Sequence, residues 1–208
     1  MGTHQSPAPA TESASGRPAA AAPAVRSISE MAVFAALVAV LGQVAAIPLG
    51  PVPITLQTMG VMLAGAVLGP WRGAGSMLLL NVLTAAGLPL MAQGSGGLGV
   101  FAGPTAGFAL GFVPGALAVG LIVQHRWPLR GWRTAAGVLV GGIGVIYACG
   151  IPVMAWQLGL SLPEAAAANA LFLPGDALKA TFAVLVTHSL ARAYPAAFRG
   201  VSRRRATL

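Results

Sequence analysis

Long apolar segments with almost no charged residues constrain this chain more than any other feature of its sequence. Hydrophobic residues make up 56% of its 208 positions, and Asp, Glu, Lys and Arg together make up 8%. Soluble globular domains carry about 25% charged residues. Apolar stretches of about 20 residues are long enough to cross a bilayer as helices. The sequence therefore predicts an all-α integral membrane protein.

Six apolar segments alternate with short polar or glycine- and proline-rich connections. We predict transmembrane helices at about residues 30–47, 54–69, 73–88, 105–123, 134–156 and 174–193. The second segment is short for a bilayer, about 24 Å at a rise of 1.5 Å per residue. We therefore expect the irregular connection at residues 89–104 to enter the membrane beside it, where protein buries its backbone or where it lines a cavity.

The basic residues lie on one side of this arrangement. Eleven of the twelve are arginines, located before helix 1, after helices 2 and 4, and at or beyond the end of helix 6. With six spans all of these segments share one side, and an excess of basic residues marks the cytoplasmic side. The sequence therefore predicts a multi-pass protein of the cell membrane with both termini in the cytoplasm.

The chain divides into three parts. Residues 1–26 are rich in Ala, Pro and Ser and are predicted to form a disordered cytoplasmic tail. Residues 27–195 form the six-helix membrane domain, and residues 196–208 form a basic cytoplasmic tail. The arginines of that tail are interpreted as anchors on anionic membrane lipids. We expect no nucleic-acid partner, because this composition leaves no room for a nucleic-acid-binding fold.

Charged residues within apolar spans are functional candidates, because their burial is costly. Asp176 and Lys179, the latter the only lysine, lie three residues apart at the start of helix 6 and share one helix face. The helix N-terminus stabilises a carboxylate there. One alternative is that Asp176 caps the helix and Lys179 extends its side chain toward the membrane–water interface. We favour the other, a pair that offers donors and an acceptor to a neutral polar ligand.

Uncharged polar residues are predicted to converge on the same outer half of the protein. Each alone is more often an interhelical hydrogen bond than a ligand contact. Together they suit a small, partly polar ligand held within an apolar wall. These residues are Thr55, Gln57, Thr58, Asn81, Gln93, Ser95 and Thr105.

Several classes of function are disfavoured by what the sequence lacks. It contains no GxxxxGK[ST] phosphate loop, no HExxH metal motif and no GxSxG nucleophile motif, so we predict that it is not an enzyme. A proton-coupled secondary transporter with Asp176 as proton relay remains an alternative. An intramembrane enzyme would need a nucleophile and base or a metal cluster, and a structural scaffold does not explain an Asp–Lys pair.

Four motifs occur in a fixed order along the membrane part of the chain. They are GPVPITLQT at 50–58, AAGLP at 85–89, GGLG at 96–99 with GPTAGF at 103–108, and PGDALKA at 174–180. In this combination and order they resemble the BioY family, the biotin-specific substrate-binding subunits of energy-coupling-factor (ECF) transporters. The resemblance extends over residues 29–190.

The resemblance implies a six-helix subunit that captures biotin from outside the cell, with biotin as transported substrate and no cofactor. It implies that Asp176 and Lys179 contact biotin, and it adds Gly97 of the GGLG motif to the candidate contacts. Pro51, Val52 and Pro53 belong to a first loop that would act as a lid.

The resemblance also implies protein partners in the membrane. Ala32 and Ala36 of helix 1 would face a transmembrane coupling subunit, and two separate ATPase subunits would supply the energy. Whether the chain works alone, as a homo-oligomer or only with these partners is left open by the sequence.

Overall fold

The computed structural model describes residues 21–44, 55–126 and 128–198, and its regular elements there are all helical. A π-helical turn, Val140–Val145, joins α5 to α6, and short 3-10 turns occupy Ala92–Gly94, Leu98–Ala102 and Pro195–Ala197. The predicted all-α class is confirmed. The α-helices are α1 Ala21–Val44, α2 Gln57–Leu68, α3 Pro70–Ala85, α4 Ala106–Val123, α5 Gly131–Leu139, α6 Ile146–Leu158, α7 Leu162–Ala170 and α8 Leu173–Ala193.

Several helices have the length and composition of membrane spans. Three stretches qualify singly, at Ala24–Gln43, Ala106–Val123 and Gly131–Leu158, and the α7–α8 pair, bent by 58°, qualifies together. With 12 and 16 residues, α2 and α3 rise only about 18 and 24 Å, less than the roughly 30 Å hydrocarbon core. The membrane class is supported, while six complete spans with cytoplasmic ends stay a prediction.

The largest differences from the predicted helices are the start of α1 and the additional helix α7. Helix α1 starts at Ala21, so residues 21–26 of the predicted tail are helical, and an Arg26–Glu30 ion pair of 2.9 Å supports this extra turn. Helix α7 lies within residues 157–173, where the sequence predicts a connection between two helices. It starts with a capping box, in which Ser161 and Glu164 bond each other's backbone amides. Residues 1–20 and 199–208 lie outside the described residues.

Glycines allow the helices to pack closely. A Cβ added to Gly107 of α4 would overlap the carbonyl oxygen of Cys149 on α6, and one added to Gly115 would lie 3.0 Å from the carbonyl oxygen of Gly141 in the π-helical turn. Close contact between backbones is how helices associate where lipid removes the hydrophobic drive. Gly107 and Gly115 therefore allow α6 and the π-helical turn before it to pack closely against α4.

Gly107→Ala is expected to destabilise the protein by about 1–3 kcal/mol, because the added methyl group has no space and the helices must separate. The measurement is the Tm of the detergent-purified variant. Gly131→Ala is the matched control, since a Cβ there meets no atom within 4 Å. Equal Tm values for the two variants would contradict this packing account.

One end of the bundle is held together by charged and amide groups. Glu30 of α1 accepts a hydrogen bond from Nη1 of Arg72, the third residue of α3, at 2.8 Å. Gln124, which follows α4, donates from Nε2 to the carbonyl oxygens of Ala66 and Val67 at 2.9 Å. The N-termini of α1 and α3 and the C-termini of α2 and α4 therefore share this end.

The opposite end is closed by the connection between α3 and α4. Gln43, near the end of α1, donates from Nε2 to the carbonyl oxygen of Met91 at 2.9 Å and to that of Pro89 at 3.1 Å. Met91 is buried in the main core. This connection lies beside the start of α2, where the sequence predicted an irregular segment.

Candidate ligand-binding site

A cavity of about 340 Å³ lies at the end of the bundle opposite the Glu30–Arg72 pair. Helices α2, α4, α6, α7 and α8 and the α3–α4 connection all contribute to it. Aromatic rings of Phe108, Phe112 and Phe172 form much of its apolar wall. Its polar lining residues are Thr55, Gln57, Thr58, Gln93, Ser95, Thr105, Tyr147, Asn169, Asp176 and Lys179.

A hydrogen-bonded cluster of four side chains occupies one wall of the cavity. Lys179 Nζ lies 2.8 Å from Asp176 Oδ1, and both residues are buried, with 7% and 3% of their surfaces exposed. Thr58 Oγ1 lies 3.4 Å from both Asp176 Oδ1 and Lys179 Nζ. The Tyr147 hydroxyl donates to Asp176 Oδ2 at 2.5 Å. The carboxylate is therefore fixed through both oxygens.

Local structure explains how these side chains meet. Pro174 lies in the first turn of α8, where a proline's missing N–H costs nothing, and Asp176 lies in the same turn. Lys179 follows three residues later on the same face. Tyr147 comes directly after the start of α6, beyond the π-helical turn, a distortion often found at functional sites. Its ring packs edge-on against Phe108, with centroids 6.1 Å apart.

Most of the predicted ligand contacts are brought together here. Thr55, Gln57, Thr105, Asp176 and Lys179 all line the cavity. Thr58, Gln93 and Ser95 line it as well.

Asn81 and Gly97 do not line the cavity. Asn81 instead donates from Nδ2 to the carbonyl oxygen of Ala109 at 2.9 Å and so joins α3 to α4. This is the interhelical bond that the sequence left as the alternative. Gly97 has a φ of 80°, and its backbone N–H donates to the carbonyl oxygen of Thr84 at 2.7 Å. Its role in the structure is therefore a turn that only glycine adopts easily.

Comparison with known proteins identifies a family for this chain. The model of the BioY family matches residues 11–196. The chain belongs to the BioY family. The membership confirms the resemblance of the four motifs, and with it the prediction that the chain is not an enzyme.

Relatives in the BioY family are similar over nearly their whole length. "Biotin transporter BioY" of Rhodobacter capsulatus is 46% identical over 185 residues, which cover 83% of this chain and 96% of the relative. "Biotin transporter BioY" of Rhizobium etli is 40% identical over 178 residues, which cover 82% of this chain and 95% of the relative. Relatives named as transporters, together with helices long and apolar enough to cross a bilayer, show that this chain is a membrane protein.

One solved structure has the same fold. It is the crystal structure of the S-component for biotin from an ECF-type ABC transporter, 29% identical in sequence to this chain. The two superpose with a TM-score of 0.76 over 82% of this chain and 93% of the other.

Several cavity residues of this BioY chain were missed by sequence reasoning. Tyr147 is one of only two tyrosines, and a phenol within an apolar helix is a signal that could have found it. Asn169 and Phe172 belong to α7 and the bend after it. The Ser161–Glu164 capping pattern predicts the start of α7. No local pattern predicts the 58° bend that brings Asn169 and Phe172 to the cavity.

Two further predictions for this BioY chain concern surfaces away from the cavity. The lid residues Pro51, Val52 and Pro53 lie outside the described residues. Ala32 and Ala36 are exposed on α1, whereas Ala35 and Ala39 on the adjoining part of the same side are buried in the core. The first pair is therefore accessible in the isolated chain.

Proposed function

We propose that this chain binds biotin in the described cavity and serves as the substrate-binding subunit of an ECF-type biotin transporter. The observation that carries the proposal is the buried Asp176–Lys179 pair on the cavity wall of a BioY family member. The relatives named biotin transporters and the solved biotin S-component support it. Biotin is then a transported substrate rather than a cofactor.

The cavity chemistry suits the ureido ring of biotin. That ring is neutral and offers two N–H donors and one carbonyl acceptor. Asp176 accepts and Lys179 donates, so together they bind it without burying net charge. Phenyl rings of Phe108 and Phe112 cover the apolar part of the ligand. The carboxylate of biotin lies toward Gln93 and Ser95 in the α3–α4 connection, and Thr55, Gln57 and Thr105 complete the polar wall.

Gln57 acts here mainly by holding that connection in place. It is buried, and its Nε2 donates to the carbonyl oxygen of Leu90 at 3.4 Å. Gln43 holds the same segment from α1. Asn81 supports the site from behind, through its bond to α4, and Gly97 supports it through the turn.

The orientation of the cavity follows from the basic residues. Arg26 and Arg72 lie at the end of the bundle opposite the cavity. With arginines in the cytoplasm, the cavity faces outward and both termini face inward. The loop of Pro51, Val52 and Pro53, directly before the cavity residue Thr55, serves as the lid over bound biotin.

Energy is supplied by other proteins. The sequence has no phosphate loop, so separate ATPase subunits act through a transmembrane coupling subunit. Membership in the BioY family and the likeness to an ECF-type S-component favour this arrangement over a proton-coupled transporter. Small, exposed Ala32 and Ala36 on α1 suit close contact with a helix of that coupling subunit.

Tyr147→Phe is expected to weaken biotin binding by about 10- to 150-fold, because a hydrogen bond to a charged group contributes about 1.5–3 kcal/mol and its loss frees Asp176 Oδ2. Equilibrium binding of labelled biotin to the purified variant measures the change. Tyr194→Phe is the matched control, since the other tyrosine is exposed and lies outside the cavity. Equal Kd values for both variants and the unaltered protein would show that Tyr147 does not fix the carboxylate.

Replacing Ala32 and Ala36 together by Leu is expected to abolish biotin uptake in cells that supply the coupling and ATPase subunits. Biotin binding to the purified variant stays unchanged, because both residues are remote from the cavity. Val33→Leu, on the exposed surface of the same helix, is the control and keeps uptake. Normal uptake by the Ala32 and Ala36 variant would remove this face of α1 from the partner contact.

The proposed substrate is tested by competition at equilibrium. Labelled biotin should bind the detergent-purified protein saturably. Desthiobiotin, which keeps the ureido ring, should displace it, and lipoate, which lacks that ring, should not. Absence of saturable binding would overturn the proposed function, and displacement by lipoate as effective as by desthiobiotin would overturn recognition through the ureido ring.

A further inference from the structure

Asn169, a residue that lines the cavity, carries a hydrogen-bond acceptor without a partner. It lies near the end of α7, only 1% exposed, and it lines the cavity. Its Nδ2 donates to the carbonyl oxygen of Ala165 at 2.9 Å and lies 3.4 Å from the sulfur of Met154. Its Oδ1 is buried and has no hydrogen-bond partner among the described residues.

The orientation of this amide is determined by its surroundings. Rotating the carboxamide by half a turn would place Oδ1 against the carbonyl oxygen of Ala165, and two acceptors repel each other. Oδ1 therefore remains the free group. Buried polar atoms in native proteins are nearly always hydrogen-bonded, so an unpartnered one calls for an explanation.

Two other amide oxygens in the described part of the chain are also buried without partners, and they differ in position. Asn81 Oδ1 lies between α3 and α4, and Gln124 belongs to the opposite end of the bundle. Neither residue lines the cavity described above. Of the three residues, Asn169 alone lines this cavity, where a ligand could supply the missing donor.

The other strong acceptor at this cavity, the carboxylate of Asp176, already accepts three hydrogen bonds and has room for about one more. Asp176 Oδ1 accepts hydrogen bonds from Lys179 and Thr58, and Oδ2 accepts one from the hydroxyl of Tyr147. A ureido ring carries two N–H donors on opposite sides of its carbonyl. A wall with one carboxylate acceptor therefore leaves the second N–H without a dedicated partner, and Asn169 offers one.

We propose that Asn169 Oδ1 accepts a hydrogen bond from one of the two ureido N–H groups of biotin and so determines specificity for the intact cyclic urea. This inference rests on the proposed function of biotin binding. The residue acts on the ligand directly and from α7, whereas the Asp–Lys pair acts from α8. A site with an acceptor built for an N–H discriminates strongly against an analogue that lacks it.

The test measures affinities for biotin and for two cyclic carbamate analogues, each with one ring N–H replaced by oxygen. Asn169→Leu keeps the side-chain shape and removes the acceptor. For one analogue, the ratio of its Kd to that of biotin should fall about tenfold in this variant, since the discriminating contact is gone. The ratio for the other analogue should stay the same. Gln124→Leu, which removes an unpartnered amide oxygen at the opposite end of the bundle, should change neither ratio.

The outcomes are distinguishable from each other. If Asn169→Leu leaves both ratios at their original values, even with weaker biotin binding, Asn169 has only a structural role and the inference is overturned. Asn169→Ala, which removes the same oxygen without adding volume, gives the same decision if the Leu variant does not fold. If the unaltered protein binds no biotin, the proposed function itself fails.

Discussion

Asp176→Asn is expected to weaken biotin binding by about 100-fold or more, because truncating one partner of a buried, hydrogen-bonded charge pair costs about 2–5 kcal/mol. The substitution keeps the shape of the side chain. It removes the charge that neutralises Lys179 Nζ, 2.8 Å away, and the strong acceptor that the Tyr147 hydroxyl and Thr58 fix in position. Titration of the purified variant with labelled biotin measures the loss.

Glu30→Gln is the matched control for this variant. Glu30 is also a carboxylate within an ion-pair network, with Arg26 and Arg72, but it lies at the opposite end of the bundle. Biotin affinity should therefore remain unchanged in the control. A Kd for Asp176→Asn equal to that of the control would remove Asp176 from the binding site.

Lys179→Met is expected to lower biotin affinity by a similar factor of about 100, because Asp176 then remains buried without its cation. Methionine keeps most of the length and the apolar stem of lysine. Arg192→Gln, which removes an exposed basic residue from the last turn of the same helix, is the control and should retain full affinity.

The double variant of Asp176→Asn with Lys179→Met shows whether the two residues act as one unit. Neighbours that share an interaction give non-additive effects. The double variant removes both charges together, so we expect it to lose little more affinity than either single variant. If the loss of affinity in the double variant equalled the product of the two single losses, the two residues would contact biotin independently.

Much of the fold was predictable because the membrane imposes strong local rules. The apolar segments predicted the helical class, and the approximate positions of α2, α3, α4 and α8 followed from them. Helix α1 starts as early as Ala21, although the composition of that segment predicted disorder. The Arg26–Glu30 ion pair and the alanines of the segment favour the helix. Helix α7 is preceded in the sequence by the Ser161–Glu164 capping pattern, which is a local signal for a helix start.

The site was predictable where its residues are unusual and not where they are ordinary. Asp176 and Lys179 are charges in an apolar segment, so their cost of burial identified them. Tyr147 and Asn169 reach the cavity through a π-helical turn and a 58° bend, which depend on how whole helices pack. Asn81 has the same chemistry as Asn169, and only tertiary structure separates the interhelical bond from the cavity wall.

The most direct test of the account is an experimental structure of this protein with biotin bound. We predict that the ureido ring lies in the cavity between α2, α6 and α8, within hydrogen-bond distance of Asp176 and Lys179. Biotin bound elsewhere, or bound in this cavity with its ureido ring away from both residues, would contradict it.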